Sequence, residues 1–122
     1  MKYIIEGGKR LKGEIKVYGN KNSILPCMAA ALLTDEQVIL ENVSKITVVE
    51  VFTKLLKELG VKITGDNHRL ILKTGKIEKY ELIDELVIKL RASVLLVGPL
   101  MSRVGRASFK FPGGDVIGKR NI

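Results

Sequence analysis

Apolar and polar positions alternate in some stretches of this chain and recur at helical spacing in others. The run Glu14-Ile15-Lys16-Val17-Tyr18 alternates as a half-buried strand does, and Tyr3-Ile4-Ile5 opens the chain in a strand-like way. Cys27-Met28-Ala29-Ala30-Ala31-Leu32-Leu33 predicts a buried helix, with Cys27 as an inert buried thiol. Residues 38–41 predict a short strand. Val48, Val51, Phe52, Leu55, Leu56 and Leu59 then form one amphipathic helical stripe. Thr47 and Glu50 are spaced as the two ends of a capping box, and Gly60 supplies the stop. Val61-Lys62-Ile63 and Arg69-Leu70-Ile71-Leu72-Lys73 flank Gly65-Asp66-Asn67-His68, a hairpin pattern in which His68 decorates the turn and does no chemistry. Residues 76–85 are a charged connection. Residues 91–104 are apolar almost all round and predict a buried helix that Pro99 kinks or breaks. Residues 105–111 predict a strand with Phe109 and Phe111 on one face.

The predicted order is β-β-α-β-α-β-β followed by α-β. This is an α/β chain built from a repeated αβ unit whose second round is incomplete, with helices packed inside sheets.

Composition narrows the function classes. A chain of 122 residues fits one small domain. With three Tyr, three Phe and no Trp, its core is expected to be aliphatic. No apolar run has membrane-spanning length, since Val94–Val97 is cut off by Gly98-Pro99. The N-terminus carries no apolar signal core, which predicts a cytoplasmic protein with no membrane partner. One Cys excludes an internal disulfide, and one Cys with one His supplies no metal cluster of the usual kind, so neither metal nor cofactor is expected. The formal charge of +8 suits polyanions. A small basic nucleic-acid-binding module is therefore an alternative reading. The lysines are scattered without a basic run or interleaved aromatics, so nucleic acid is not expected. Phosphorylated small molecules suit the same charge, with Lys21, Arg91 and Arg120 as candidate contacts.

Two segments carry candidate chemistry. Phe111-Pro112-Gly113-Gly114-Asp115-Val116-Ile117-Gly118-Lys119-Arg120 presents one carboxylate on a sharply turning backbone, with two cations close behind. Such a loop suits proton transfer beside an anionic substrate, and equally a solvated turn. Gly19-Asn20-Lys21-Asn22-Ser23-Ile24-Leu25-Pro26 joins a predicted strand to a predicted helix, where backbone amides and the helix dipole favour an anion. Lys21 adds a mobile cation there. Asn22 is either a ligand contact or, like Ser23, a cap.

Taken together with Leu40-Glu41-Asn42-Val43-Ser44, Leu56-Lys57-Glu58-Leu59-Gly60, Arg91-Ala92-Ser93 and Gly98-Pro99-Leu100-Met101-Ser102-Arg103-Val104-Gly105, these segments resemble the UDP-N-acetylglucosamine 1-carboxyvinyltransferase family. The order and separation of the motifs match over nearly the whole chain. Asp115 stands where the family most often has cysteine, and Asn121-Ile122 where it has proline and then an aliphatic residue. The shikimate-pathway enolpyruvyl transferase is less similar: it has a K-S pair at Lys21-Asn22 and lacks the P-G-G-[CD] loop.

The resemblance implies an inside-out αβ barrel of the enolpyruvyl transferases, incomplete in this chain. Residues 1–18 would be strands of the other lobe, and residues 19–122 a partial αβ-repeat lobe carrying the loop. It implies transfer of enolpyruvyl from phosphoenolpyruvate to UDP-N-acetylglucosamine in the first committed step of peptidoglycan precursor synthesis. Asp115 would be the catalytic proton donor. Lys21 and Asn22 would bind phosphoenolpyruvate. Arg91 and Arg120 would bind UDP-N-acetylglucosamine or phosphoenolpyruvate, and Arg91 has a second reading as a helix-start cation paired with Asp84 or Glu85. Family members are much longer, so this portion alone is expected to be inactive.

Overall fold

The structure is a computed structural model that describes residues 2–66 and 68–114. Helix α1 spans Lys21–Ala30 and runs on into a 3-10 turn at Ala31–Leu33. Strand β1 is Gln37–Glu41, α2 is Thr47–Glu58, β2 is Lys62–Asp66 and β3 is Arg69–Lys73. A single turn, α3, follows at Asp84–Val87, then a 3-10 helix at Arg91–Leu96 that passes directly into α4, Val97–Val104.

The three strands form one antiparallel sheet in the order β1-β3-β2. Ile71 pairs with Ile39 on one side and Thr64 on the other. Alternation sends Val38, Leu40, Ile63, Leu70 and Leu72 to one face, where they pack with Phe52, Leu55 and Leu56 of α2. The helices gather on that face. Met28, Leu32, Phe52, Leu55, Leu56, Leu96 and Leu100 are fully buried, so the core is aliphatic around one aromatic ring. Thr74 is buried among them because its hydroxyl donates to the Ala31 carbonyl at 2.9 Å.

The α2–β2–β3 segment follows its sequence pattern closely. The Gly60 N–H donates to Lys57 and the Val61 N–H to Leu56, with Gly60 at φ 90°, the paired bonds of a Schellman stop. The start of α2 differs from expectation. Ile46, not Thr47, takes the N-cap position, and no side chain caps it; the Ile46 carbonyl accepts from Val49 and Glu50. Thr47 falls inside the first turn, where its backbone is already helical and its hydroxyl is out of register for a cap.

Other expectations are corrected more strongly. Residues 2–18 contain neither strand nor helix, and every one of them is exposed. The segment at 105–111 makes a single parallel bridge, Ser108 to Glu81, with the Ser108 N–H donating to Tyr80 and the Leu82 N–H to Ser108. Two bonds of that kind make a bridge and not a ladder. Helix α1 begins at Lys21, six residues before the apolar run, and turns Cys27 outward, so the thiol is exposed rather than buried. The break in residues 91–104 falls at Leu96–Val97, ahead of Pro99. That proline is the third residue of α4 and has no N–H for the Leu95 carbonyl one turn ahead, so the helical bonding changes just before it, as a proline break does. Of the residues in α4, Leu100 is buried while Met101 is half exposed. Arg103 forms an ion pair with Asp35 and donates to the Gly75 carbonyl at 3.2 Å, tying α4 to the ends of α1 and β3.

Candidate active site

Tertiary packing opens a cleft of about 440 Å³ between the start of α1, α2 and the 3-10 helix. Lys21, Asn22, Lys89 and Arg91 give it its polar groups, and Leu25, Pro26, Val48 and Leu95 part of its apolar wall. Asn20 fixes the α1 side. It is the N-cap, at φ −77° and ψ 138°, and its side chain accepts from the Asn22 N–H at 2.6 Å. Asn20 rather than Asn22 or Ser23 is therefore the cap, and Asn22 lines the cleft. Pro26, one turn on, has no N–H to give the Asn22 carbonyl. The start of α1 brings Lys21, Asn22 and the positive end of the helix dipole to this cleft.

The opposite wall is the segment Lys89–Ala92. Ser93 is fully buried and its hydroxyl donates back to the Leu90 carbonyl at 2.7 Å, which sets the start of the 3-10 helix. Arg91, the first residue of that helix, is half-buried and lines the cleft. Lys89 is a cleft residue that sequence reasoning did not single out. Its only signal was its place two residues before Arg91. Lys21, Lys89 and Arg91 are the charged residues among the described lining of this cleft, a balance that favours an anion.

The glycine loop starts at the same place. The Gly113 N–H donates to the Val87 carbonyl at 3.3 Å, and a β-carbon at Gly113 would sit 1.6 Å from the Ile88 carbonyl oxygen. Only glycine allows that approach. Gly114 lines the cleft at φ 113°, with its position for a β-carbon 3.1 Å from Arg91 Cβ. Lys21, Asn22, Arg91 and the root of the loop thus come together. Asp115 and Arg120 lie outside the described residues. Another cleft, of about 400 Å³ between α2 and the β2–β3 tip, contains none of the candidate residues. No group of three or more potential metal ligands occurs among the described residues, and no described helix is long and apolar enough to cross a membrane.

The fold is that of the enolpyruvyl transferases, incomplete in this chain. The enolpyruvyl transferase NikO from Streptomyces tendae superposes on 81% of this chain with a TM-score of 0.74 at 28% sequence identity, using 23% of its own length. Residues 5–122 match the family model described as EPSP synthase (3-phosphoshikimate 1-carboxyvinyltransferase). The chain belongs to that family. It is 47% identical over 120 residues to a UDP-N-acetylglucosamine 1-carboxyvinyltransferase of Borreliella burgdorferi, covering 98% of this chain. A protein of the same name from Bradyrhizobium diazoefficiens is 44% identical over 123 residues. The chain spans about 28% of the length of these relatives.

Proposed function

We propose that this chain is the N-terminal portion of an enzyme that transfers enolpyruvyl from phosphoenolpyruvate to the 3-hydroxyl of UDP-N-acetylglucosamine. The observation that carries the reading is the cleft itself, which gathers Lys21, Asn22 and Arg91 at the root of the glycine loop. The names of the relatives favour UDP-N-acetylglucosamine over shikimate 3-phosphate as acceptor.

In this reaction C3 of phosphoenolpyruvate takes a proton and C2 is attacked by the sugar hydroxyl. Phosphate then leaves C2 as a proton is lost from C3, which restores the double bond. Lys21 and the Asn22 amide hold the phosphoenolpyruvate anion at the positive end of α1. Arg91 and Arg120 supply guanidinium groups for the nucleotide sugar or for phosphoenolpyruvate. Asp115 is the proton donor to C3. An ordinary aspartate is ionised at neutral pH, so this role requires the loop to close and carry Asp115 out of water or against substrate anions. In the full-length protein residues 1–18 become strands by pairing within a second lobe, and residues 19–122 are part of the first. A cytoplasmic site of action fits the intracellular substrates.

The test is phosphate release with both substrates. The full-length protein turns over, and the 122-residue chain, lacking the lobe that closes on the cleft, does not. Absence of turnover in the full-length protein overturns the assignment. The same reading makes the enzyme resistant to fosfomycin, because a carboxylate opens an epoxide poorly where a thiolate does so readily. Intact mass after incubation detects an adduct on Asp115→Cys and none on the unmodified protein.

A further inference from the structure

The tip of the β2–β3 hairpin reaches the corner between β1 and α2 through His68. The Val43 N–H donates to the His68 carbonyl at 2.9 Å, and His68 Nδ1 lies 2.9 Å from the Val43 carbonyl oxygen. A carbonyl only accepts, so Nδ1 carries the hydrogen and donates. The imidazole thereby stands in for a ladder amide, just beyond the terminal pair Glu41 and Arg69. The same ring stacks on Tyr18, with centroids 4.5 Å apart and planes 13° from parallel.

Both contacts lead to one place. Asn42, next to Val43, is a non-glycine residue at φ 56°, a left-handed conformation that turns its carbonyl toward α1. That carbonyl accepts the Gly19 N–H at 3.0 Å. A β-carbon at Gly19 would stand 2.4 Å from the Asn42 oxygen, so the approach is as close as backbone permits. Tyr18 and Gly19 are followed at once by the cap Asn20 and by Lys21 and Asn22. His68 therefore grips the lead-in to α1 twice, through Val43-Asn42 to Gly19 and through Tyr18.

We infer that His68 is a positioning residue for the anion end of the cleft: its hydrogen bond to Val43 and its stack on Tyr18 set where Lys21 and Asn22 stand. It performs no chemistry itself. Its half-buried ring lies outside the core, so its removal changes global stability little, whereas the helix start it anchors carries the anion contacts. The part of this inference that concerns phosphoenolpyruvate rests on the function proposed above.

The experiment uses the full-length protein with His68→Ala, His68→Phe and His68→Asn. Phe keeps the stack, and the Asn amide nitrogen reaches the position of Nδ1, so each restores one of the two grips. His68→Ala weakens phosphoenolpyruvate binding about tenfold, from one lost hydrogen bond and one lost ring contact. The other two variants recover part of that loss, and UDP-N-acetylglucosamine binding is unchanged in all three. Equal weakening of both ligands, or wild-type affinity in His68→Ala, overturns the inference. Amide exchange gives a readout independent of any substrate. In His68→Ala the Gly19 and Asn22 amides exchange faster while those of Leu70–Leu72 do not, and unchanged exchange at Gly19 and Asn22 overturns the inference even if the wild-type protein binds no phosphoenolpyruvate. Failure of the unmodified protein to bind that ligand, with faster exchange in the variant, instead sinks the proposed function and leaves the positioning role supported.

Discussion

Glu14-Ile15-Lys16-Val17-Tyr18 and Arg69-Leu70-Ile71-Leu72-Lys73 both read as five-residue strands: the first alternates charged residues with β-branched ones, and the second sets three aliphatic residues between two cations. Their fates differ completely. Leu72 is 1% exposed at the centre of the sheet, while Ile15 is 91% exposed and belongs to no strand. The difference lies in partners. Arg69–Lys73 finds β2 through a tight hairpin and β1 on its other edge, and α2 covers the inward face. Among the described residues, 2–18 meet neither a neighbouring strand in register nor a helix that covers Ile15 and Val17. Alternation specifies which face of a strand is apolar, and it does not supply the ladder that makes it a strand.

The comparison is broken most directly by truncating one apolar residue in each stretch. Leu72→Ala destabilises the chain by about 2–5 kcal/mol, whereas Ile15→Ala in the same 122-residue chain stays within about 0.5 kcal/mol. Urea unfolding measures both, and a large effect of Ile15→Ala would mean that residues 2–18 pack. At the joint between the two regions, Gly19→Ala drives a β-carbon into the Asn42 carbonyl and costs about 1–3 kcal/mol, read by the same titration. Just past the joint, Lys21→Ala in the full-length protein weakens phosphoenolpyruvate binding about tenfold with nucleotide-sugar binding little changed. Separate calorimetric titrations of the two ligands test it, and equal losses would indicate damage to the fold. The smallest effect concerns Cys27, an exposed residue inside the packed region. Cys27→Ser changes stability by less than about 0.5 kcal/mol, and the thiol reacts with a soluble disulfide reagent without denaturant.

Legibility followed the range of the interactions. The stripe of α2, its Gly60 stop and the β2–β3 hairpin depend on residues within a turn or two of one another, and the structure has them where the pattern puts them. The proposed anion site was legible in part. Lys21, Asn22 and Arg91 stood out as motifs, and the structure brings them to one cleft. Lys89 did not stand out, because a lysine on a charged connection has no local mark. The exposure of Cys27 was misjudged because the apolar run was read without Lys21–Pro26, and the true start of α1 rotates Cys27 away from Met28 and Ala29. His68 reads as a turn ornament because Tyr18 and Val43, which its ring contacts, lie 50 and 25 residues away.

The sequence by itself determined α2 with its Gly60 stop, β1, the β2–β3 hairpin, the aliphatic core and the motifs that tie the chain to its family. Periodicity, caps and turn chemistry act over a few residues, so they can be read there. Tertiary structure alone decided which alternating stretches became strands, that Asn20 caps α1 and leaves Asn22 to the cleft, and that Gly113 must be glycine because it presses on the Ile88 carbonyl. Each of those depends on a partner far along the chain, and the burial, hydrogen bond or steric limit that fixes it exists only once the two segments meet.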